Sequence, residues 1–226
     1  MTTFSVVVPA AGVGSRMGAS CPKQYLPLAG KFLIEHTLER LLGYPKVEQV
    51  IVAISATDTF FSTLAVASHP RVITTLGGAE RADSVLNGLA LVTSEWVMVH
   101  DAARPCITHQ DLDLLIREAV TPDGALLGSR VRDTMKRTDQ HGLIQKTVDR
   151  EQLWHALTPQ FFPTSLLRSA LVKGKEHGAV ITDEASAMEL AGFRPKMVEG
   201  RADNIKVTRP EDLALAALYL QQQENC

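Results

Sequence analysis

Cysteine is scarce in this chain. Cys21, Cys106 and Cys226 are the only three in 226 residues. They are odd in number, far apart and never in a CxxC pair, which excludes a disulfide framework and a zinc knuckle and predicts reduced thiols. Long apolar runs are missing too. None approaches the roughly 20 residues needed to cross a bilayer, and the opening MTTFSVVVPAAG has no basic segment ahead of a long apolar stretch. The expectation is a cytoplasmic protein with no membrane partner. A surplus of positive charge is also lacking: 23 Lys and Arg against 25 Asp and Glu leave a formal net charge of −2, which removes the general basic footprint of a nucleic-acid binder. Internal repeats and low-complexity tracts are absent. Any anionic ligand must therefore be met by a local cluster of cations.

What is present is ordinary globular material. Hydrophobic residues make up 45% and charged residues 21%, enough to bury one substantial core, and this length suits one main domain better than two small ones. Val6-Val7-Val8 is a β-branched run entering Pro9 and a glycine-rich stretch, as a buried strand leading into a loop does. Residues 32 to 42 (FLIEHTLERLL) place apolar positions at helical spacing, and Val50 to Ile54 is a second β-branched run, completing a β-α-β unit. The alternation continues with strand over Arg71 to Thr75, helix over Ala82 to Val92 and strand over Trp96 to His100. It then resumes with Leu112, Leu115, Ile116 and Ala119 on one helical face and a small-residue strand at Ala125 to Leu127. Such alternation predicts an α/β fold, a Rossmann-like, mostly parallel sheet with helices on both faces, and in such sheets ligands bind at the carboxyl ends of the strands.

Between Arg130 and Arg150 the character changes. VRDTMKRTDQHGLIQKTVDR is charged, has little continuous apolar pattern and carries a turn signal at Asp139 to Gly142. It reads as a projecting β-hairpin that either lies on the body or clasps a second subunit, because a lone hairpin does not stabilise itself. Further on, Thr182-Asp183-Glu184 reads as a cap for a following helix, with a supporting contact to a substrate phosphate as the second reading. Thr208-Arg209-Pro210-Glu211 reads as a capping box ahead of a terminal helix carrying Leu213, Leu218 and Leu220.

The chemistry is concentrated at strand ends. Pro9 to Gly18 (PAAGVGSRMG) occupies the place of a phosphate-cradling loop, where small residues let backbone N–H groups approach anionic oxygens. It is no dinucleotide fingerprint, since Gly12 and Gly14 are followed by Met17 where a third glycine belongs and Gly18 comes one place late. No Walker A loop can be drawn either, and the strand ending Ile54-Ser55 lacks the acidic residue a ribose 2′-hydroxyl requires. What remains is a glycine loop bearing Arg16, closely followed by Lys23, a guanidinium and an ammonium that suit a triphosphate. Asp101 follows an apolar strand directly and so stands at the sheet's carboxyl edge, where one carboxylate can hold Mg²⁺ against nucleotide phosphates or can serve as a turn aspartate. Arg104 adds a cation at the same edge. His100 has no Ser or Cys elbow nearby and reads as a hydrogen-bonded strand-end histidine.

The order of PAAGVGSRM, PKQY, GGAERADSV, HDAARP, VRDTMKR, TVDR, LWHALTPQFF, ITDEAS and DNIKVTRPEDL, spread from Val6 to about Leu218, resembles the 2-C-methyl-D-erythritol 4-phosphate cytidylyltransferase family. PAAG with a following Arg and Lys marks sugar-nucleotide transferases broadly; VRDTMKR with DNIKVTRPEDL is narrower. The resemblance implies a single nucleotidyltransferase domain over 1–226, with 131–150 as an arm used in dimerisation. It implies catalytic roles for Arg16, Lys23 and Lys206 on the CTP phosphates, and a CTP pocket from Ala10, Ala11, Gly12, Gly14, Gly78, Ala79, Arg81 and Ser84. It implies Mg²⁺, or another divalent cation, on Asp101. For the acceptor it implies Asp101, Ala102 and Arg104, together with Thr134 and Arg150 from the other subunit of a homodimer. Trp154 and His155 resemble core-facing positions. Ala79 departs from the pattern, since relatives carry aspartate there, so cytosine's amine would be read only by main chain at that point. A cytidylyltransferase for another polyol phosphate, such as ribitol 5-phosphate, and a non-catalytic nucleotide sensor are the competing readings.

Overall fold

In the computed structural model, which describes residues 3–12, 21–119 and 121–224, the valine run becomes β1 (Phe4–Pro9), buried along almost its whole length. A strand buried on both faces must be covered on both faces, and the sequence supplies the cover by alternation. Val6 and Val8 point into one apolar cluster with Ile34, Leu38, Leu112 and Leu115. Val7 points into another with Val85, Leu89, Leu167 and Met188. Helices α1 (Leu33–Leu42) and α3 (His109–Glu118) therefore cover one face of the sheet. Helices α2 (Arg81–Leu89), α4 (Thr164–Glu176) and α5 (Glu184–Leu190) cover the other.

Ahead of α1, the short strands β2 (Pro27–Leu28) and β3 (Lys31–Phe32) form a small hairpin. The main sheet adds β4 (Val47–Ile54), β5 (Val72–Leu76), β6 (Trp96–Val99), β7 (Ala125–Arg130), β10 (Trp154–Pro163) and β11 (Lys196–Glu199), in the order β11-β7-β10-β6-β1-β4-β5. β1 pairs in parallel with β4 and β6, β4 with β5, and β7 with β11. Only β10 runs antiparallel, to both β6 and β7. The mostly parallel sheet with helices on both faces is the expected architecture.

Between β7 and β10 the hairpin stands as β8 (Met135–Thr138) paired antiparallel with β9 (Ile144–Val148). Its turn is made by Asp139, whose Oδ1 accepts from the N–H groups of His141 (2.9 Å) and Leu143 (3.0 Å), and by Gly142, whose φ of 81° favours glycine. The apolar tip is uncovered, with Leu143 67% and Ile144 65% exposed.

Two sequence expectations change. His155 is exposed and Trp154 only partly buried, because this end of β10 pairs with the exposed end of β7 at the root of the arm. Trp154 lies under the Arg130 guanidinium, 4.5 Å from its ring centroid, and the core-facing side chains of the segment are Phe161 and Phe162. In the terminal helix α6 (Pro210–Glu224) the capping carboxylate is Asp212, not Glu211. Asp212 Oδ2 accepts from the N–H groups of Thr208 (2.8 Å) and Arg209 (2.9 Å), since with Pro210 as the first helical residue the reciprocal position falls two residues later. Leu218 is exposed, and Ala216 and Leu220 face a third apolar cluster with Leu28, Leu33, Cys106 and Val207. Cys21 and Cys106 are free thiols, and burial pushes the Cys106 thiol up to about 12. Cys226 lies outside the described residues. Among the described residues no helix is long and apolar enough to cross a membrane.

Candidate active site

A cavity of about 220 Å³ opens at the carboxyl ends of β1 and β6. Its first wall is the chain leaving β1: Ala10, Ala11 and Gly12. The second is the turn from β5 into α2, with Gly78, Ala79, Arg81 and Ser84. These walls meet because glycine permits it. A Cβ on Gly77 would come within 2.2 Å of Ala11 Cβ, and one on Gly78 within 2.1 Å of Asp83 Cβ. Gly78 N–H donates to Ser84 Oγ (3.1 Å), and Asp83 accepts from Glu80 N–H (3.0 Å), so the start of α2 holds the turn in place.

Asp101 and Ala102, just past β6, form the floor, and Lys23 and Lys206 close the sides. Lys23 sits in a 3-10 turn, Lys23–Tyr25, that is pinned twice. Gln24 Nε2 donates to Ala10 O (2.6 Å), and the Tyr25 hydroxyl donates to Asp58 Oδ2 (2.5 Å). Lys23 Nζ donates to Val207 O (3.4 Å), which brings residues 23 and 206 to the same opening.

Asp101 is the electrostatic centre. Its Oδ1 faces Arg81 Nη2 at 3.2 Å, and its Oδ2 faces Lys206 Nζ at 2.9 Å and Arg104 Nε at 3.4 Å. Burial alone would raise its carboxyl, but Arg81, Lys206 and Arg104 outweigh it and hold Asp101 well below the usual carboxylate range. Behind it, Thr158 Oγ1 accepts from Asp101 N–H (3.0 Å). His100 Nε2–H donates to Arg104 O (3.1 Å), leaving Nδ1 to accept the Thr158 hydroxyl (3.0 Å). His100 is thus the hydrogen-bonded strand-end histidine expected.

Complete burial lowers His100 from 6.5 to about 4. The sign follows directly: an unfolded His takes up a proton below about pH 6.5, the folded one does not until near pH 4, so acid favours unfolding within that window. Stability of this origin is present above the window and lost as pH falls through it, on the order of 3 kcal/mol. Urea unfolding at pH 7 and pH 4.5 should show a shallower pH dependence for His100→Gln than for the parent protein. Equal slopes would remove His100 from the account.

Of the residues expected at the site, Ala10, Ala11, Gly12, Lys23, Gly78, Ala79, Arg81, Ser84, Asp101, Ala102 and Lys206 line the cavity. Gly14 and Arg16 lie outside the described residues. Arg104 does not line the cavity: its side chain is buried, and Nη1 donates to Asn204 O (2.8 Å). Thr134 and Arg150 are exposed on the arm, and Arg150 donates to Arg132 O. Thr182-Asp183-Glu184 is expected as a helix cap or as a supporting contact to substrate phosphate. Asp183 makes that cap, accepting from Ser186 N–H (2.9 Å), while Glu184 is 1% exposed and grips Arg81 with both oxygens, at 2.7 and 3.2 Å. No local pattern signals this, because the partners are 103 residues apart.

A doubly wound sheet with lysines, an arginine and a buried carboxylate around a glycine-walled cavity at its carboxyl edge has the fold of a nucleotide-binding protein, with a cavity where such sheets bind ligands and a charge suited to an anion. The sequence profile of 2-C-methyl-D-erythritol 4-phosphate cytidylyltransferase (IspD) matches residues 4–222. A protein of that name from Aeromonas hydrophila subsp. hydrophila is 68% identical over 97% of this chain and 90% of its own length. One from Tolumonas auensis is 61% identical over 99% of both chains. The crystal structure of the Francisella tularensis protein of the same name superposes with a TM-score of 0.84 at 32% identity, covering 97% of this chain and all, 100%, of that one. The chain belongs to the 2-C-methyl-D-erythritol 4-phosphate cytidylyltransferase family of nucleotidyltransferases.

Proposed function

We propose that the cavity beside Asp101 binds CTP and that this chain transfers its cytidylyl group to 2-C-methyl-D-erythritol 4-phosphate, giving 4-diphosphocytidyl-2-C-methyl-D-erythritol and pyrophosphate in the non-mevalonate isoprenoid pathway. The observation that carries this reading is the convergence of Arg81, Arg104 and Lys206 on one carboxylate, with Lys23 at the same opening. A phosphate monoester is already ionised near neutral pH, with a second pKa near 6, so its attack on the α-phosphorus needs no general base. The barrier is repulsion between two polyanions, which fixed cations lower.

In this reading Lys23, with Arg16 from the glycine loop, neutralises the leaving pyrophosphate, and Lys206 acts at the α-phosphate. The small residues Ala10, Ala11, Gly12, Gly78 and Ala79 admit the nucleotide, with Ser84 holding the Gly78 turn. Gly14 belongs to the same loop by resemblance. Mg²⁺ fits the donor set, because it takes one or two carboxylates and completes its shell with phosphate oxygens and water. Asp101 would hold it, and another divalent ion of the same kind could serve. Among the described residues no three His, Cys, Asp or Glu side chains cluster as an all-protein metal nest, in keeping with an ion that arrives on the triphosphate. When bound it supplies charge neutralisation between the phosphates.

The acceptor lies on the Lys206 side. Arg104 shapes that side through Asn204 rather than by reaching into the cavity, and Ala102 contributes main chain. Thr134 and Arg150 sit on the arm, outside the cavity lining of their own chain, and the uncovered apolar tip supports an arm that reaches across a homodimer from the single domain 1–226. The setting in this reading is the cytoplasm.

Pyrophosphate release from CTP tests the assignment. It should depend on added 2-C-methyl-D-erythritol 4-phosphate and be far slower with ribitol 5-phosphate. Equal rates with the two acceptors would assign a broader polyol-phosphate enzyme, and CTP binding without release under either would assign a nucleotide sensor.

A further inference from the structure

Arg81 is held from two sides. Nε and Nη2 meet Asp101 Oδ1 at 3.3 and 3.2 Å, while Nη1 and Nη2 meet Glu184 Oε1 and Oε2 at 2.7 and 3.2 Å. Glu184 takes no part in the cap of its own helix, which Asp183 provides. The α5 end is further fixed by Gln160, whose side chain bridges Asp183 Oδ2 (2.9 Å) and Ala185 N–H (2.8 Å). The Glu184 carboxylate is therefore delivered to Arg81 by a rigid support, and a two-pronged contact fixes the plane of a guanidinium as well as its charge.

Asp101 already lies against Arg81 but shares its one charge with Arg104 and Lys206. What the second carboxylate adds is competition. A polyphosphate entering the cavity offers Arg81 the same bidentate geometry that carboxylates do, and an arginine drawn onto it would leave Asp101. Lys206 is different: among the described residues its ammonium contacts Asp101 Oδ2 alone, its side chain is 36% exposed, and a lysine stem is flexible. It is the cation at Asp101 best able to change partner.

We infer that Glu184 is a positioning residue that keeps Arg81 on Asp101 Oδ1 when a polyanion fills the cavity, so that Lys206 is the cation released from Asp101 to the reacting phosphate. The inference rests on the cavity being the CTP site.

Removing the Glu184 charge frees Arg81 to bind the ground-state triphosphate. Interactions gained in the ground state do not raise turnover. Glu184→Gln should lower kcat about tenfold, the lower end for residues that orient a site's own ligands, while the calorimetric Kd for CTP stays the same or tightens. In an Arg81→Met background the same substitution should change kcat by less than about twofold, because its route of action is gone. Arg81→Lys keeps one charge between the carboxylates but loses the bridge, and should reproduce the kcat loss even if Glu184→Gln fails to fold. Weaker CTP binding with unchanged kcat, or an equal loss in both Arg81 backgrounds, would overturn the inference. Calorimetry on the unaltered protein checks the cavity assignment separately: no CTP binding there overturns that reading, whatever the variants do.

Discussion

Lys23→Ala should lower turnover by about two to three orders of magnitude, the range seen when one preorganised donor to a developing charge is deleted, roughly 2.7 to 4 kcal/mol. The size follows from the setting. Lys23 stands on a turn whose neighbours Gln24 and Tyr25 are anchored to Ala10 and Asp58, so its ammonium is held beside the cavity before any ligand arrives and little reorganisation is needed at reaction. Fold stability should change far less than turnover, since the buried side chains of Gln24 and Tyr25 anchor the turn. Steady-state pyrophosphate release with thermal unfolding as a control measures both. Near-native turnover in a folded variant would remove Lys23 from the mechanism. The same variant tests the arm: co-refolded with Arg150→Ala, it should recover activity in mixed dimers, where one of the two sites has both residues. Mixed dimers that form and stay inactive would confine each site to one chain.

The way the fold carries these residues explains what could be read from sequence. Period-two valines and period-3.6 leucines announce the layers because burial acts on each element locally; Lys23 and Asp101 were legible from the glycine loop and the strand end they follow, while Lys206 was legible only through the resemblance of DNIKV to the family. The antiparallel β10 was less so. Between β7 and β10 the chain makes only the β8–β9 hairpin and no helix, and a return without a crossover helix comes back antiparallel. Arg104 was legible as a cation and not as a buried one, because its guanidinium is taken up by the main chain of Asn204, 100 residues further on. Glu184 was hidden for the same reason. A glutamate in ITDEAS looks like any first-turn acid until the fold sets it under Arg81. Ala79 does line the cavity.

Asp101→Asn should be the most damaging single change, affecting stability and activity together. Asparagine preserves the shape and the main-chain bond to Thr158 but removes the charge that Arg81, Arg104 and Lys206 share. Glu184 then faces these three cations alone, and it touches only Arg81 of them. Breaking a buried ion pair from one side costs about 3–5 kcal/mol, which for a domain of this size lowers Tm by about 10 °C. Two apolar clusters spanning the whole sheet remain intact, so the variant still folds. Activity should fall by at least about two orders of magnitude, because Arg81 and Lys206 lose the group that sets their positions. The pH dependence separates charge from packing. Because the Asp101 carboxyl is held below its ordinary value in the folded protein, its contribution is fully present above the unfolded carboxyl pKa of about 3.9 and is lost as pH falls below it. The stability gap between parent and variant should therefore stay constant from about pH 7 to 5 and shrink only at lower pH. A gap that is already closing near neutral pH, or a variant with unchanged Tm and turnover, would show that the three cations do not depend on Asp101.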